Sequence, residues 1–187
     1  MAGTYTAVEL DVQVSGEKAD LLVLLADQRA LLRLTAQGIT EEQARRTTTV
    51  SALTLGGLVK HVAMGERETA EQIVARDEDS EVDLTALGAA HELGAEETLA
   101  GWLAEYERAA LLFDQTIAAV VSLDEMIPQP TAPWAPQREW WSVRRMVAHR
   151  LRETAHHCGH ADIIREALDG QSTMAVIAAD VEWPDQG

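Results

Sequence analysis

Residues 142–170 read SVRRMVAHRLRETAHHCGHADIIREALDG, and this stretch decides the fold. Ser142 is suited to cap a helix start and Gly170 to end one, since a serine hydroxyl can accept from the first free amides and glycine turns left-handed at little cost. A single helix is therefore expected from Ser142 to Asp169. On it fall His149, Glu153, His156, His157 and His160. At about 100° per residue these five positions share an arc of roughly 100°, so they form one polar stripe along one face. Such a stripe is either a solvated surface or the wall of a site, and this helix alone does not decide which.

Working outward, Pro128, Pro130, Pro133 and Pro136 enforce an extended crossing before the helix, because proline fixes its backbone and restricts the residue before it. Trp134, Trp140 and Trp141 cluster there and are expected to pin the crossing to the rest of the fold. A helix is expected from Ala95 to Ser122, with Leu99, Trp102, Leu103, Tyr106, Ala110, Phe113, Ile117 and Val120 inward. Another runs from Thr54 to Asp77 on Leu55, Leu58, Val62, Gly65 and Thr69, and the first from Gly16 to Gln37 on Leu21, Leu22, Leu25, Leu32 and Ala36. Gln28 and Arg29 interrupt that first stripe. Thr40 with Gln43 marks a short helix start. Residues 77–94 are acidic and broken, which reads as a solvated connection without a binding role.

Four long amphipathic helices and no convincing strands predict an all-α four-helix bundle with short extra helices and a long crossing loop before the last helix. One domain is expected over 1–187, with an arm at 1–16 and a tail at 171–187 that holds a short apolar stretch, Met174 to Val181. The hydrophobic fraction of 47% is enough to fill its core.

Charge excludes some partners. Fifteen Lys and Arg stand against 31 Asp and Glu, a formal net charge of −16. Nucleic acid and anionic membrane surfaces both need a basic face, so neither is expected as a partner. The only cysteine, Cys158, rules out an internal disulfide. With no leader-like or membrane-spanning apolar run in the sequence, the expected compartment is the cytoplasm.

Glu153 and His157 lie at i and i+4, the spacing that stacks two side chains one turn apart and lets both reach one ion. A third ligand should come from a facing helix. His61 is the sole histidine of the helix from Thr54, after the small-residue run Leu55-Gly56-Gly57-Leu58-Val59-Lys60. Those glycines either permit close helix contact or make room near His61. Cys158, about 100° around the helix from His157, reads as a buried inert thiol. Glu66 and Glu68 read as ordinary surface acids, and Arg144, beside Arg145 and near Arg138, as a candidate contact for an anionic or sugar-bearing ligand.

The segment Leu53–Ala63 resembles the second helix of the DinB-like metalloenzyme superfamily, and His149–Gly170 resembles the last helix of its actinobacterial branch, which is related to mycothiol-dependent enzymes. The resemblance implies a four-helix bundle with one divalent metal held by His61, Glu153 and His157, the first ligand of the last helix being Glu as in the mycothiol-dependent maleylpyruvate isomerase group. His149 and His160 flank those ligands as supporting or substrate-facing groups. Two imidazoles and a carboxylate suit zinc, with iron, nickel or manganese within the same chemistry. The implied activity is S-transfer, or isomerisation, with mycothiol as cosubstrate and an electrophilic small molecule as its partner. A hydrolase using metal-bound water, and a non-catalytic bundle that binds a metal or small ligand, are the alternatives. Pairing of two chains through a bundle face stays open.

Overall fold

The computed structural model describes residues 4–179. The elements run α1 (Glu17–Ala36), α2 (Glu41–Ala44), α3 (Leu55–Ala75), α4 (Leu84–Ala89), α5 (Leu99–Ala119), β1 (Met126–Pro128), β2 (Trp140–Ser142), α6 (Val143–Asp169) and α7 (Thr173–Ala179). Four long helices make the bundle. α3 packs most extensively on α5, α1 on α6, and α3 also on α6, while α1 and α5 barely meet. No helix among the described residues is long and apolar enough to cross a membrane.

The ends of the helices follow local chemistry. The Ser142 hydroxyl accepts from the Arg145 amide, and Gly170 closes α6 with φ of 80°, the left-handed region that favours glycine. Thr54 caps α3, and Thr40 and Gln43 form a reciprocal capping box at α2. α5 begins four residues later than the expected Ala95. Glu97 there is not helical. Its carboxylate accepts from the Gly94 amide at 2.6 Å and from Lys60 Nζ at 2.8 Å, which ties the chain into a turn before Thr98 caps the helix. The acidic connection contains one helical turn and a half, α4, capped by Asp83. The proline-rich crossing holds a two-stranded antiparallel ribbon that pairs Ile127 with Trp141. Trp141 packs on the core, whereas Trp134 and Trp140 are largely exposed and belong to neither core cluster. Of the expected tail stretch Met174 to Val181, α7 covers residues up to Ala179; Asp180 and Val181, with the first three residues of the arm, lie outside the described residues.

Two apolar clusters fill the bundle. One gathers Leu32, Leu55, Leu58, Tyr106 and Ile164; the other gathers Leu22, Leu25, Ile73, Phe113 and Met146. Between them along α1 and α3 lies a buried ionic layer. Arg29 donates from Nε to both oxygens of Glu66 at 2.9 and 3.1 Å, and from Nη1 to both oxygens of Asp114 at 2.9 and 3.1 Å. The interruption of the first stripe is thus a brace linking α1, α3 and α5. Glu66, expected to be a surface acid, is fully buried. Burial pushes the Asp114 carboxyl up, against the pull of Arg29, while burial opposes and the two carboxylates favour the charged guanidinium.

Removing one partner of a buried pair strands the others, which costs about 3–5 kcal/mol. Arg29→Ala strands two carboxylates and should lower the unfolding free energy by about that much in urea denaturation. A loss below about 1 kcal/mol, the range of exposed ion pairs, would contradict the brace.

Candidate metal centre

The site is assembled where α3, α6 and the chain between α4 and α5 converge. His61, on the second turn of α3, stacks on His91 with ring centroids 4.0 Å apart and planes at 21°. It meets His157 of α6 edge-on at 4.8 Å. One donor atom from each of His61, His91 and His157 lies within 4.8 Å of the other two. Three imidazoles from three chain segments therefore face a common point.

His91 was not foreseen, and the reading of 77–94 as a connection without a binding role is corrected by it. The correction has a local cause. A Cβ at Gly57 would stand 1.9 Å from the His91 carbonyl oxygen, and one at Gly56 would stand 2.5 Å from the Leu93 side chain. The glycine pair is the seat on which the chain after α4 crosses α3. Close approach and room near His61 turn out to be the same device. Lys60, next to His61 in sequence, fastens the crossing by donating to the Glu92 carbonyl at 3.0 Å and to the Glu97 carboxylate.

On α6, Glu153 Oε2 lies 3.8 Å from His157 Nε2. Its other oxygen accepts from Arg152 at 2.7 Å and stands 3.9 Å from His149 Nδ1. Glu153 thus flanks His157 and stands outside the group of three imidazoles. The opposite nitrogen of the His157 ring, Nδ1, lies 3.4 Å from His160 Nδ1. His160 in turn packs edge-on against the exposed His156 at 4.4 Å. So His160 fixes the ring of His157 from behind and leaves Nε2 turned toward Glu153. His149 touches Trp141 edge-on and Arg152 through Nδ1.

Burial keeps His61 and His157 neutral. Burial pulls the pKa of His61 down to about 4, helped by His91, His157 and Arg150 and opposed by Glu153. Burial likewise pulls His157 to about 4, opposed by Glu153 and reinforced by His160, His156 and His91. Burial raises the Glu153 carboxyl, but the Arg152 hydrogen bond and the nearby His149 and Arg150 outweigh it and hold the group below its ordinary value. The donors are thus lone-pair imidazoles with an ionised carboxylate beside them, the forms that bind divalent metal. This set fits a borderline ion such as zinc, iron, nickel or manganese.

A cavity of about 400 Å³ opens beside His61, with Met64, Gly65, Glu68, Asp83 and Arg150 among its walls. A Cβ at Gly65 would lie 2.1 Å from Arg150 Nη1, so this glycine is the seat of that guanidinium. Arg150 Nε is buried without a hydrogen-bond partner. Burial lowers the arginine's pKa and raises that of Glu68. Arg144 lies elsewhere. It is paired with Glu17 at 2.5 Å and with Asp124, thirteen residues before His157, roughly 20 Å along the helix axis. The Cys158 thiol donates to the Gln28 carbonyl at 3.3 Å, and burial pushes its pKa up to about 12, as suits an inert thiol.

The mycothiol-S-transferase family matches the chain over residues 20–170, which span α3, α6 and all three clustered imidazoles. No curated protein and no solved structure matches it.

In the metal-free protein the two lowered imidazoles give a sign that can be checked. Between about pH 6.5 and about 4 the unfolded chain protonates these histidines and the folded chain does not. Their contribution to stability therefore falls as pH drops through that window and is level above it. NMR titration should place the midpoints of His61 and His157 well below 6.5; midpoints at or above it would mean that the rings are solvated.

Proposed function

The chain belongs to the mycothiol S-transferase family, and from that premise we propose that it is a metal-dependent enzyme that joins the thiol of mycothiol to an electrophilic small molecule. The metal ligands in this reading are His61, Glu153 and His157. The observation that carries it is the meeting of His61 and His157 edge-on at 4.8 Å, from helices with no sequence proximity. When bound, a divalent ion lowers the pKa of a thiol and so favours its nucleophilic thiolate at neutral pH.

The chain's own residues supply the rest. His61 and His157 stay neutral through burial and offer lone pairs at neutral pH. His160 orients the His157 ring through its Nδ1, while Arg152 holds the far oxygen of Glu153. Partners of this kind fix the angle of a ligand and are worth roughly 10–100-fold in metal affinity. The cavity beside His61 seats the sugar-bearing body of the thiol and the electrophile. Glu68, Glu81 and Asp83 there present hydroxyl-accepting carboxylates, and Arg150 presents the one guanidinium of the lining. The half-buried imidazoles limit the bulk water that would compete for the electrophile. Isomerisation through a transient thiol adduct uses the same site. A cytoplasmic setting, where the thiol is kept reduced, suits a chain with a single cysteine.

Metal analysis and a transfer assay test this together. Purified wild type should carry metal, and His61→Ala and His157→Ala should each lose most of it, by about tenfold or more. Wild type with mycothiol and chlorodinitrobenzene should give the S-conjugate above background, and the two variants should not. Equal metal in all three proteins would sink the ligand assignment. Hydrolysis of an amide or thiol conjugate without transfer would identify the site as that of a hydrolase, and neither activity would leave a metal-binding bundle.

A further inference from the structure

The third clustered imidazole belongs to a part of the chain unlike the other two. His61 and His157 stand on helices of 21 and 27 residues. His91 follows α4, a helix of six residues none of which is buried. Leu84 and Leu87 of α4 are about half exposed, at 51% and 45%. Asp83, Ala86, Leu87 and Ala90 nevertheless form one wall of the cavity beside His61. The segment is tied down at its two ends. Before it, the Val82 amide donates to the Thr131 carbonyl at 2.9 Å. After it, Lys60 holds the Glu92 carbonyl, and Leu93 lies over Gly56. Between those ties, the cavity wall and His91 are one piece of chain.

Counting donors gives this piece a role. His61, His91, His157 and Glu153 would be four protein ligands, the complement of a closed structural site. A site that takes up a thiol needs an open position. One of the four must therefore stand aside, and three of them are fixed to the two longest helices of the site. We propose that His91 is a detachable metal ligand. It closes the site with His61, Glu153 and His157 when no thiol is present, and it withdraws with α4 when thiol enters, leaving the other three to hold the ion. The inference rests on the metal-dependent reading above. In the exchange, a neutral imidazole leaves and the thiol sulfur takes its place, with the thiol proton passing to solvent. Locally, opening of the cavity wall and opening of the coordination position become a single movement, so the site is closed against other ligands until its substrate is in the cavity.

The full chain loaded with cobalt(II) reports coordination through its visible absorption, independently of turnover. Against wild type, His91→Ala should still bind cobalt, with about tenfold or more weaker affinity and an altered absorption band. On titration with mycothiol, the variant should reach saturation at about tenfold lower thiol, because no imidazole has to be displaced. Gly57→Ala, which pushes the His91 carbonyl aside without removing an imidazole, should reproduce both shifts and guards against an effect peculiar to the ring. An unchanged cobalt spectrum and affinity in His91→Ala would overturn the ligand assignment. Complete loss of cobalt from a variant with native circular dichroism would overturn the detachable role, since the other three donors would then be insufficient. Failure of the underlying reading looks different: His61→Ala would bind cobalt as tightly as wild type.

Discussion

The architecture hangs on Arg29. Its guanidinium is held by carboxylates from two other helices, Glu66 of α3 and Asp114 of α5, inside a largely buried layer. A buried ion pair with hydrogen bonds on both sides tolerates little rotation, since turning either helix strands a charge in low dielectric. The pair therefore fixes the angle of α3 about its own axis. His61 precedes Glu66 by five residues, about 140° around the helix after one full turn. With Glu66 locked toward α1, His61 is directed away from α1, toward α6 and the chain that follows α4. The location of the metal centre is in this sense a consequence of a brace that touches no ligand.

Placing the brace there also explains how the apolar core is divided. Large aliphatic and aromatic side chains lie to either side of it, with Leu32, Leu55 and Tyr106 in one cluster and Leu25, Ile73 and Phe113 in the other. On α6 the level between the clusters is the one occupied by Glu153 and His157. A bundle helix facing apolar layers on both sides can afford polar side chains only where neighbours on other helices are polar too. Tyr106, wholly buried with an unpartnered hydroxyl, marks the edge of that level, and burial raises its pKa well above the ordinary value.

Local chemistry was legible in the sequence, and long-range chemistry only where it left a periodic trace. Ser142 and Gly170 bound α6 as read, because caps act through neighbours a few residues away. Glu153 and His157 were paired from spacing alone, since i and i+4 must share a helix face. His61 joined them through the resemblance of two helices, and the structure brings it to His157. His91 left no such trace. It sits in an acidic loop whose path is set by the bare backbone of Gly56 and Gly57, 35 and 34 residues earlier, and loop paths over a helix carry no period. The glycine pair itself was the one available signal, a place where something had to come close. Glu66 was misread for a related reason. A carboxylate on a helix is exposed by default, and the arginine that reverses this default stands in a different helix, where it looked like a flaw in the apolar stripe.

The carboxylates of this protein are held in two different ways, and the difference separates scaffold from site. Glu66 is enclosed with Arg29, and releasing it would leave a buried charge unpaired. Glu153 is shared with Arg152, whose side chain is 70% exposed. An exposed pair of this kind is worth roughly 0–1 kcal/mol, so swinging Glu153 from Arg152 toward an ion costs less than the ion returns. Charge on the whole chain favours the same outcome. A net charge of −16 draws divalent cations toward the surface, while the arginines near the site, Arg150 and Arg152, keep Glu153 ionised and oriented. A rigid, buried brace and a loosely tethered donor are therefore complementary: the first holds α3 in register, and the second lets the ligand set change without disturbing the fold.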